Sequence, residues 1–433
     1  MALSDRGQYW CKMSDELLIW KIVKDLWDPD VNPNGYLMHY INEKIQFPGS
    51  ALTYGDGAGG QRFLRQAFAR SLNRHFKPMK RIDAEHICIT NGVSSAVEHL
   101  SNLLADPGDV FLLGQPYFGG FLNSIGLRTG TQVVPVSFGD VDPLSKAAVE
   151  VYETAIKTSI ARSQKVAGLV LCNPHNPLGR CYPKETLKGL MQLCGKYNVH
   201  FISDEIYAMS VFNPNELKSE VPSHGSCEGF TSLCAIEPSD LIDPSLVHIV
   251  YGLSKDFGAN GLRIGCIISQ NNAKLHQALV PPIVYSYASS ISELIAAKVL
   301  GNDQFTDWYI AENRLRLKQR YTEVVRWADY HQVEYRKDVQ AAFFLWVNFG
   351  AVFRRTKMGE AMLQANESDS MDLDNLIQQA LLAGKVFLIS GSNCGHDSPG
   401  WFRIVFSQAR RDLDEGLRRT ETALGLPRDP HLA

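Results

Sequence analysis

The stretch "VYGLSKDFGANGLRIG", residues 250–265, ends an apolar run on a single lysine, Lys255, set between Ser254 and Asp256, then passes through a glycine-spaced turn to Arg263. The run that leads into it, "VHIVYG" (247–252), is short and rich in β-formers, which is how a strand buried on both faces reads. Runs of the same kind recur at "HICIT" (86–90), "VFLLG" (110–114), "VAGLVLC" (166–172) and "VHFIS" (199–203). Segments of helical period lie between them. "PKETLKGLMQLCGKYN" (183–198) has Pro183 near its start and sets Leu187, Leu190, Met191 and Cys194 at i, i+3, i+4, i+7. "SSAVEHLSNLLADPGD" carries Val97, Leu100, Leu103 and Leu104 on one face and stops at Pro107-Gly108. This alternation predicts an α/β domain, a mostly parallel central sheet with helices on both faces. From about residue 300 the pattern changes to one long helix, "WYIAENRLRLKQRYTEVVRWADYH" (308–331), followed by strand-like "AAFFLWVNFG" (341–350) and "WFRIVFS" (401–407). A second, smaller α+β domain is expected there, with a surface loop in the polar stretch 354–372.

Composition bounds the function. The chain has 433 residues, 45% of them hydrophobic, enough to bury a substantial core over two or three structural domains. Net charge is -3, from 43 Lys+Arg against 46 Asp+Glu, and no basic or acidic block marks a nucleic-acid or membrane-surface partner. A small, roughly neutral partner is the better expectation. The opening "MALSDRGQYWCKM" lacks an apolar signal core, and no apolar run approaches the roughly 18 residues of a membrane span, so a soluble, cytoplasmic protein is expected. Nine cysteines without a C-x-x-C pair argue against a disulfide framework and a zinc site.

In an open α/β sheet the ligand lies beyond the carboxyl ends of the strands, and five segments there carry chemistry. "NGVSSAVEHL" (91–100) opens a helix on a glycine turn with adjacent hydroxyls, a natural phosphate seat, although a serine N-cap accounts for the same residues with no ligand. "QPYFGGF" (115–121) could lay an aromatic ring on a planar cofactor, and core packing would use the same side chains. "NPHNPLGR" (173–180) places two Asn-Pro pairs at a strand end, where turn chemistry explains only part of the pattern. "SDEIYA" (203–208) ends a buried run on Asp204, a carboxylate that needs a cationic partner, from a ligand or from a protein arginine. Lys255 is the fifth: a desolvated amine loses its proton readily and becomes a Schiff-base nucleophile, whereas a solvated surface lysine does nothing of the kind. The glycine spacings in 258–265 and in "YGDGAGGQR" fit neither a Rossmann nor a P-loop fingerprint.

A phosphate, a flat ring, a ring oxygen, a basic ring nitrogen and an aldehyde together describe pyridoxal 5'-phosphate. In the order "PYFGGF", "NPHNPLG", "SDEIYA", "SKDFGANGLRIG" and "PGWFRIVF", the chain resembles the fold type I pyridoxal-phosphate enzymes, aminotransferase class I/II, most closely the subgroup around 1-aminocyclopropane-1-carboxylate (ACC) synthase, over about residues 35–424. The resemblance implies that Lys255 is the Schiff-base lysine and proton shuttle at the substrate Cα, and that Asp204 pairs with the pyridinium nitrogen. It implies that Asn176 and Tyr207 hold the ring oxygen and that Phe118, or alternatively Tyr117, stacks on the ring. Val93, Ser94, Ser254 and Arg263 are implied for the phosphate, Arg403 for the substrate α-carboxylate, with Asn176 beside it, and Glu43 for a position near the substrate.

The implied division is an N-terminal arm and part of the small domain in 1–47, a large PLP-binding domain in 48–305 and a small C-terminal domain in 306–433. A homodimer acting on a small amino-acid substrate is implied, with no nucleic acid, membrane or metal, and with "ALTYGDGAGG" crossing to the partner. Two departures stand out. Gly252 replaces a phosphate-binding serine, and Gly57 replaces a tyrosine that reaches the neighbouring subunit, with Tyr54 poorly spaced to substitute. The second argues against ACC synthesis itself. Carbon-sulfur lyase chemistry is the leading expectation and transamination the alternative.

Overall fold

The structure, a computed structural model, describes residues 4, 7–8, 35–212, 229–365 and 372–432. Helices α1 (Gly35–Lys44) and α2 (Arg62–His75) precede the first strand, β1 (Ile87–Asn91). There follow α3 (Val93–Leu104), β2 (Val110–Gly114), α4 (Gly120–Gly126), β3 (Gln132–Val136), α5 (Ala148–Ala161), β4 (Val166–Cys172), α6 (Lys184–Tyr197), β5 (His200–Asp204), β6 (Val247–Gly252) and β7 (Ile264–Ile268). These strands form one seven-stranded sheet in the order β1-β7-β6-β5-β4-β2-β3. Only β7 runs against its neighbours; the other strands share one direction. Their carboxyl ends, Asn91, Gly114, Cys172, Asp204 and Gly252, therefore reach the same edge of the sheet.

The strands are buried on both faces, and alternate residues feed two cores. Leu112, Leu169, Leu171, Phe201, Ile249 and Tyr251 pack into one, and Phe111, Leu113, Val170, Ile202 and Val250 into the other. The helical spacing of α6 holds, since Leu187, Leu190, Met191 and Cys194 are all fully buried. Sequence reading passed over β3 and β7. β3, "QVVPV", is a half-exposed edge strand with Pro135 inside it, a placement proline tolerates only at an edge. β7 begins immediately after Arg263, inside the segment read for its glycines.

Beyond β7 come α7 (Ala273–Ile283), α8 (Ser290–Gly301) and the long α9 (Asp303–Tyr330), whose first turn is capped by the Asn302 side chain accepting from the Phe305 N–H. Then follow β8 (Glu334–Tyr335), β9 (Phe344–Asn348), α10 (Gly350–Phe353), α11 (Lys357–Ala365), α12 (Leu373–Ala383), β10 (Ile389–Ser390), β11 (Trp401–Val405) and α13 (Arg410–Leu424). The expected loop at 354–372 is in part helical, because α11 occupies 357–365; residues 366–371 lie outside the described set. The antiparallel sheet β10-β11-β9-β8 turns Leu345, Val347, Phe402 and Ile404 toward a core shared with α9, α12 and α13. Its other face carries Phe344, Trp346, Trp401 and Arg403, of which Phe344, Trp346 and Trp401 pack against the cores of the large sheet. Helix α1 packs on the core of the large sheet through Leu37 and Ile41, with Tyr40 stacked on Phe305 at 4.2 Å. Among the described residues no helix is long and apolar enough to cross a membrane.

Candidate active site

Lys255 stands directly beyond β6 on the shared edge, held from three sides. Its neighbour Asp256 is buried and accepts hydrogen bonds from the Met209 N–H (2.9 Å), the Ser210 hydroxyl (2.6 Å) and the Tyr251 hydroxyl (3.1 Å). Helix α9 adds the Tyr309 hydroxyl donating to the Phe257 carbonyl (2.8 Å) and Asn313 donating to the Asp256 carbonyl (3.3 Å). The turn carrying the lysine is thus tied to the turn after β5 and to the long helix. Burial pulls the Lys255 amine below the usual lysine range; the Arg403 charge pushes the same way, and Asp204 opposes both.

Asp204 ends β5, 6% exposed, opposite Cys172 in the β4 register. Burial raises its carboxyl to about 7, although the Ile206 N–H donating to Oδ1 (3.1 Å) and the Lys255 charge work in the other direction. A carboxylate placed so deep calls for a cation at close range. Tyr207, three residues on, is buried and its hydroxyl accepts from Asn176 Nδ2 (3.3 Å). Asn176 in turn accepts through Oδ1 from Arg403 Nη1 (2.8 Å). Arg403 stacks over Phe344, its guanidinium 5.2 Å from the ring centroid, and its buried Nε has no hydrogen-bond partner among the described residues. The two sheets thereby meet in a chain Arg403, Asn176, Tyr207 beside Lys255 and Asp204.

A second cluster lies where β1 passes into α3. Gly92, φ 81°, sets the helix start, and the first-turn N–H groups beginning at Val93 and the exposed Ser94 have no helical partner. Arg263, itself left-handed at φ 56°, donates to the Asn260 carbonyl (3.0 Å) and the Asn91 carbonyl (3.3 Å). Its guanidinium lies so close that a Cβ on Gly92 would fall 2.4 Å from Nη2. Ser254 is half-buried just before the lysine. The glycine at 252 has a steric reason: a Cβ there would approach the Ile264 carbonyl oxygen to 2.7 Å and Gly265 Cα to 3.0 Å. Strand β7 runs too close for a side chain.

Tyr117 packs in the same core as Tyr207 and Phe344. Phe118 is 39% exposed, its ring edge-on to Phe121 at 5.8 Å, while Tyr117 is buried with its N–H donating to the Cys394 carbonyl (2.8 Å). Glu43 is exposed on α1 and pairs with none of the described residues. Gly57 has φ 103° and open space around it, so this backbone is shaped for glycine and a tyrosine would be strained. Tyr54 is exposed and tilts against Tyr287 at 6.4 Å. Sequence reading missed Asp256, though it adjoins the lysine, and the pair Phe343–Phe344. Strand alternation could have found Phe344, which shares a sheet face with Trp346 and Arg403.

Comparison with known proteins agrees with this fold. The model of the family "Aminotransferase class I and II" matches residues 42–419. The chain is 31% identical over 373 residues to the probable aminotransferase tcpI of Claviceps purpurea, covering 86% of this chain and 81% of that one. It is 32% identical over 364 residues to 1-aminocyclopropane-1-carboxylate synthase 7 of Arabidopsis thaliana, covering 83% and 75%. Among solved structures, the aromatic aminotransferase of Pyrococcus horikoshii superposes with a TM-score of 0.70 at 19% identity, over 91% of this chain and 93% of that one. The family match spans both sheets and every residue of the Lys255 cluster, and so the chain belongs to the aminotransferase class I and II family.

Proposed function

We propose that this protein is a pyridoxal 5'-phosphate-dependent enzyme acting at Cα of an amino-acid substrate, with ACC synthase-like elimination of a sulfur leaving group, a carbon-sulfur lyase reaction, as its chemistry. One observation carries the reading: a lysine with a lowered pKa lies with a buried aspartate and an arginine whose Nε has no hydrogen-bond partner among the described residues, beside a helix start without a side-chain cap. The donor set fits the cofactor. Asp204 offers the negative partner for a ring nitrogen, Asn176 and Tyr207 offer donors to a ring oxygen, and Val93, Ser94, Ser254 and Arg263 offer donors to a phosphate. When bound, pyridoxal phosphate supplies an electron sink for charge that develops at Cα.

The chain's own residues do the rest. The guanidinium of Arg403 grips the substrate α-carboxylate and fixes which Cα bond is presented. Lys255 Nζ, kept short of its proton by burial and by Arg403, takes and returns the proton at Cα. Asp204, with its pKa near neutrality in the bare site, holds a proton on the ring nitrogen once that cation is at hand. Similarity to ACC synthases supports the lyase reading. The fungal relatives named as probable aminotransferases support transamination as the second reading. We also read the enzyme as cytoplasmic and as a homodimer; the dimer is supported by Leu52, Tyr54, Val284 and Tyr285, which leave an apolar surface exposed around the segment expected to cross over.

The purified yellow protein, offered S-adenosylmethionine, cysteine conjugates and common amino acids with no added keto acid, should release a thiol, keto acid or methylthioadenosine over many turnovers. Bleaching after one turnover, with recovery only on adding a keto acid, would establish the aminotransferase instead.

A further inference from the structure

Residues 339–343 link β8 to β9 of the small sheet and are hydrogen-bonded to two turns of the large sheet. The Gly179 carbonyl accepts from the Gln340 N–H (2.8 Å) and the Ala341 N–H (2.9 Å), which fastens the segment to the turn bearing Asn176. The Phe212 N–H donates to the Gln340 carbonyl (2.8 Å), and the Ala342 N–H to the Ser210 carbonyl (3.0 Å), which fastens it to the turn bearing Tyr207. Within it Ala342 is fully buried and left-handed at φ 63°, a conformation that a residue with a Cβ adopts at a cost. Strain of this kind is retained where the surrounding contacts dictate it. Its effect is to place the next side chain: the Phe343 ring lies with its centroid 5.9 Å from Lys255 Nζ and edge-on to Tyr207 at 5.4 Å and to Phe344 at 5.6 Å. Phe343 is only half-buried, unlike its neighbours Ala342 and Phe344.

We propose that Phe343 is a specificity-determining residue, the arene that receives the substrate side chain, and that it restricts the enzyme to amino acids without a second, distal carboxylate. The inference rests on the reading of Lys255 and Arg403 given above, because those two residues fix where Cα and its carboxylate lie. A side chain leaving Cα on the Phe343 side meets an aromatic face. That face carries negative charge density, so it favours methylene, thioether and aromatic groups and repels a second carboxylate. The Tyr207 and Phe344 rings, edge-on to Phe343, add apolar wall, and neither brings a cationic group for a distal anion.

The test uses the holoenzyme, wild type against Phe343→Ala and the volume-conserving Phe343→Leu. L-phenylalanine, L-methionine and L-aspartate are titrated as probes by the change in cofactor absorbance, and cofactor affinity is measured in parallel. Wild type should bind phenylalanine and methionine about tenfold or more tighter than aspartate, and Phe343→Ala should narrow that gap to about threefold or less with cofactor affinity unchanged. Phe343→Leu should keep the preference for methionine and lose part of that for phenylalanine. A wild type that prefers aspartate, or variants of undiminished preference, would overturn the proposal. If the wild-type absorbance does not depend on Lys255 at all, the underlying reading of the site fails instead, and the two failures are told apart by the Lys255→Ala spectrum.

Discussion

Replacing Asp204 by Asn separates the electrostatic cost of this carboxylate from its packing. Asn keeps the shape and an oxygen to accept the Ile206 N–H, now bonded to Oδ1 at 3.1 Å, but removes the charge. In the bare site burial raises the Asp204 pKa from 3.8 to about 7. The shift of about 3 units, at about 1.4 kcal/mol each, sets an upper cost of about 4 kcal/mol for ionising it in the folded apoprotein. The sign follows from proton counting. The folded state holds its proton to higher pH than the unfolded chain, so the cost is absent in acid, grows as pH rises above 3.8 and is complete above about 7. About 2 to 3 kcal/mol of it accrues between pH 5 and pH 8. Urea denaturation of cofactor-free wild type and Asp204→Asn at those two pH values reads the difference. Glu293, raised to about 7, and Asp256, raised to about 6, titrate in both proteins, while Glu205, raised to about 8 chiefly by burial, loses only the minor contribution of the Asp204 charge in the variant. Wild type should lose about 2 kcal/mol more than the variant on going to pH 8. Equal losses would show that the Asp204 carboxyl is not desolvated, and the case for its cationic ligand would fall with it.

Other substitutions probe neighbouring parts of the site. Gly252→Ser restores the hydroxyl expected for phosphate but drives a Cβ at the Ile264 carbonyl, so a thermal-unfolding series should show a loss of about 1–3 kcal/mol and no gain in cofactor affinity. Asp256→Ala leaves the Met209 N–H, the Ser210 hydroxyl and the Tyr251 hydroxyl without their acceptor; chemical denaturation should register a loss of about 3 kcal/mol or more. Arg403→Lys gives up the bidentate fork, and equilibrium titration should show amino-acid affinity falling about tenfold or more while cofactor affinity stays within about twofold. Equal loss of both would contradict the role assigned to Arg403.

The large sheet was legible because burial on both faces forces uninterrupted apolar runs, and "VFLLG", "VAGLVLC" and "VHIVYG" match β2, β4 and β6 residue for residue. β3 escaped because an edge strand with an internal proline has no such run, and β7 because its five residues follow a turn that draws the eye to Arg263. The chemistry of the site was legible at strand ends: Asp204 and Lys255 are charged residues placed where apolar runs stop. The steric meaning of the glycines was not. Gly252 and Gly57 look alike in sequence as losses of a side chain, yet one is dictated by the approach of β7 and the other by a backbone at φ 103°. Nor does sequence reveal that Ala342 is left-handed, since the conformation arises from four backbone hydrogen bonds to turns more than a hundred residues away.

The most direct test of the central claim is chemical trapping. The yellow holoenzyme is reduced with borohydride, digested, and its peptides are examined by mass spectrometry. The account predicts that the pyridoxyl group is carried by the peptide containing Lys255, and that Lys255→Ala takes up none; label on another lysine, or no label at all, would contradict it.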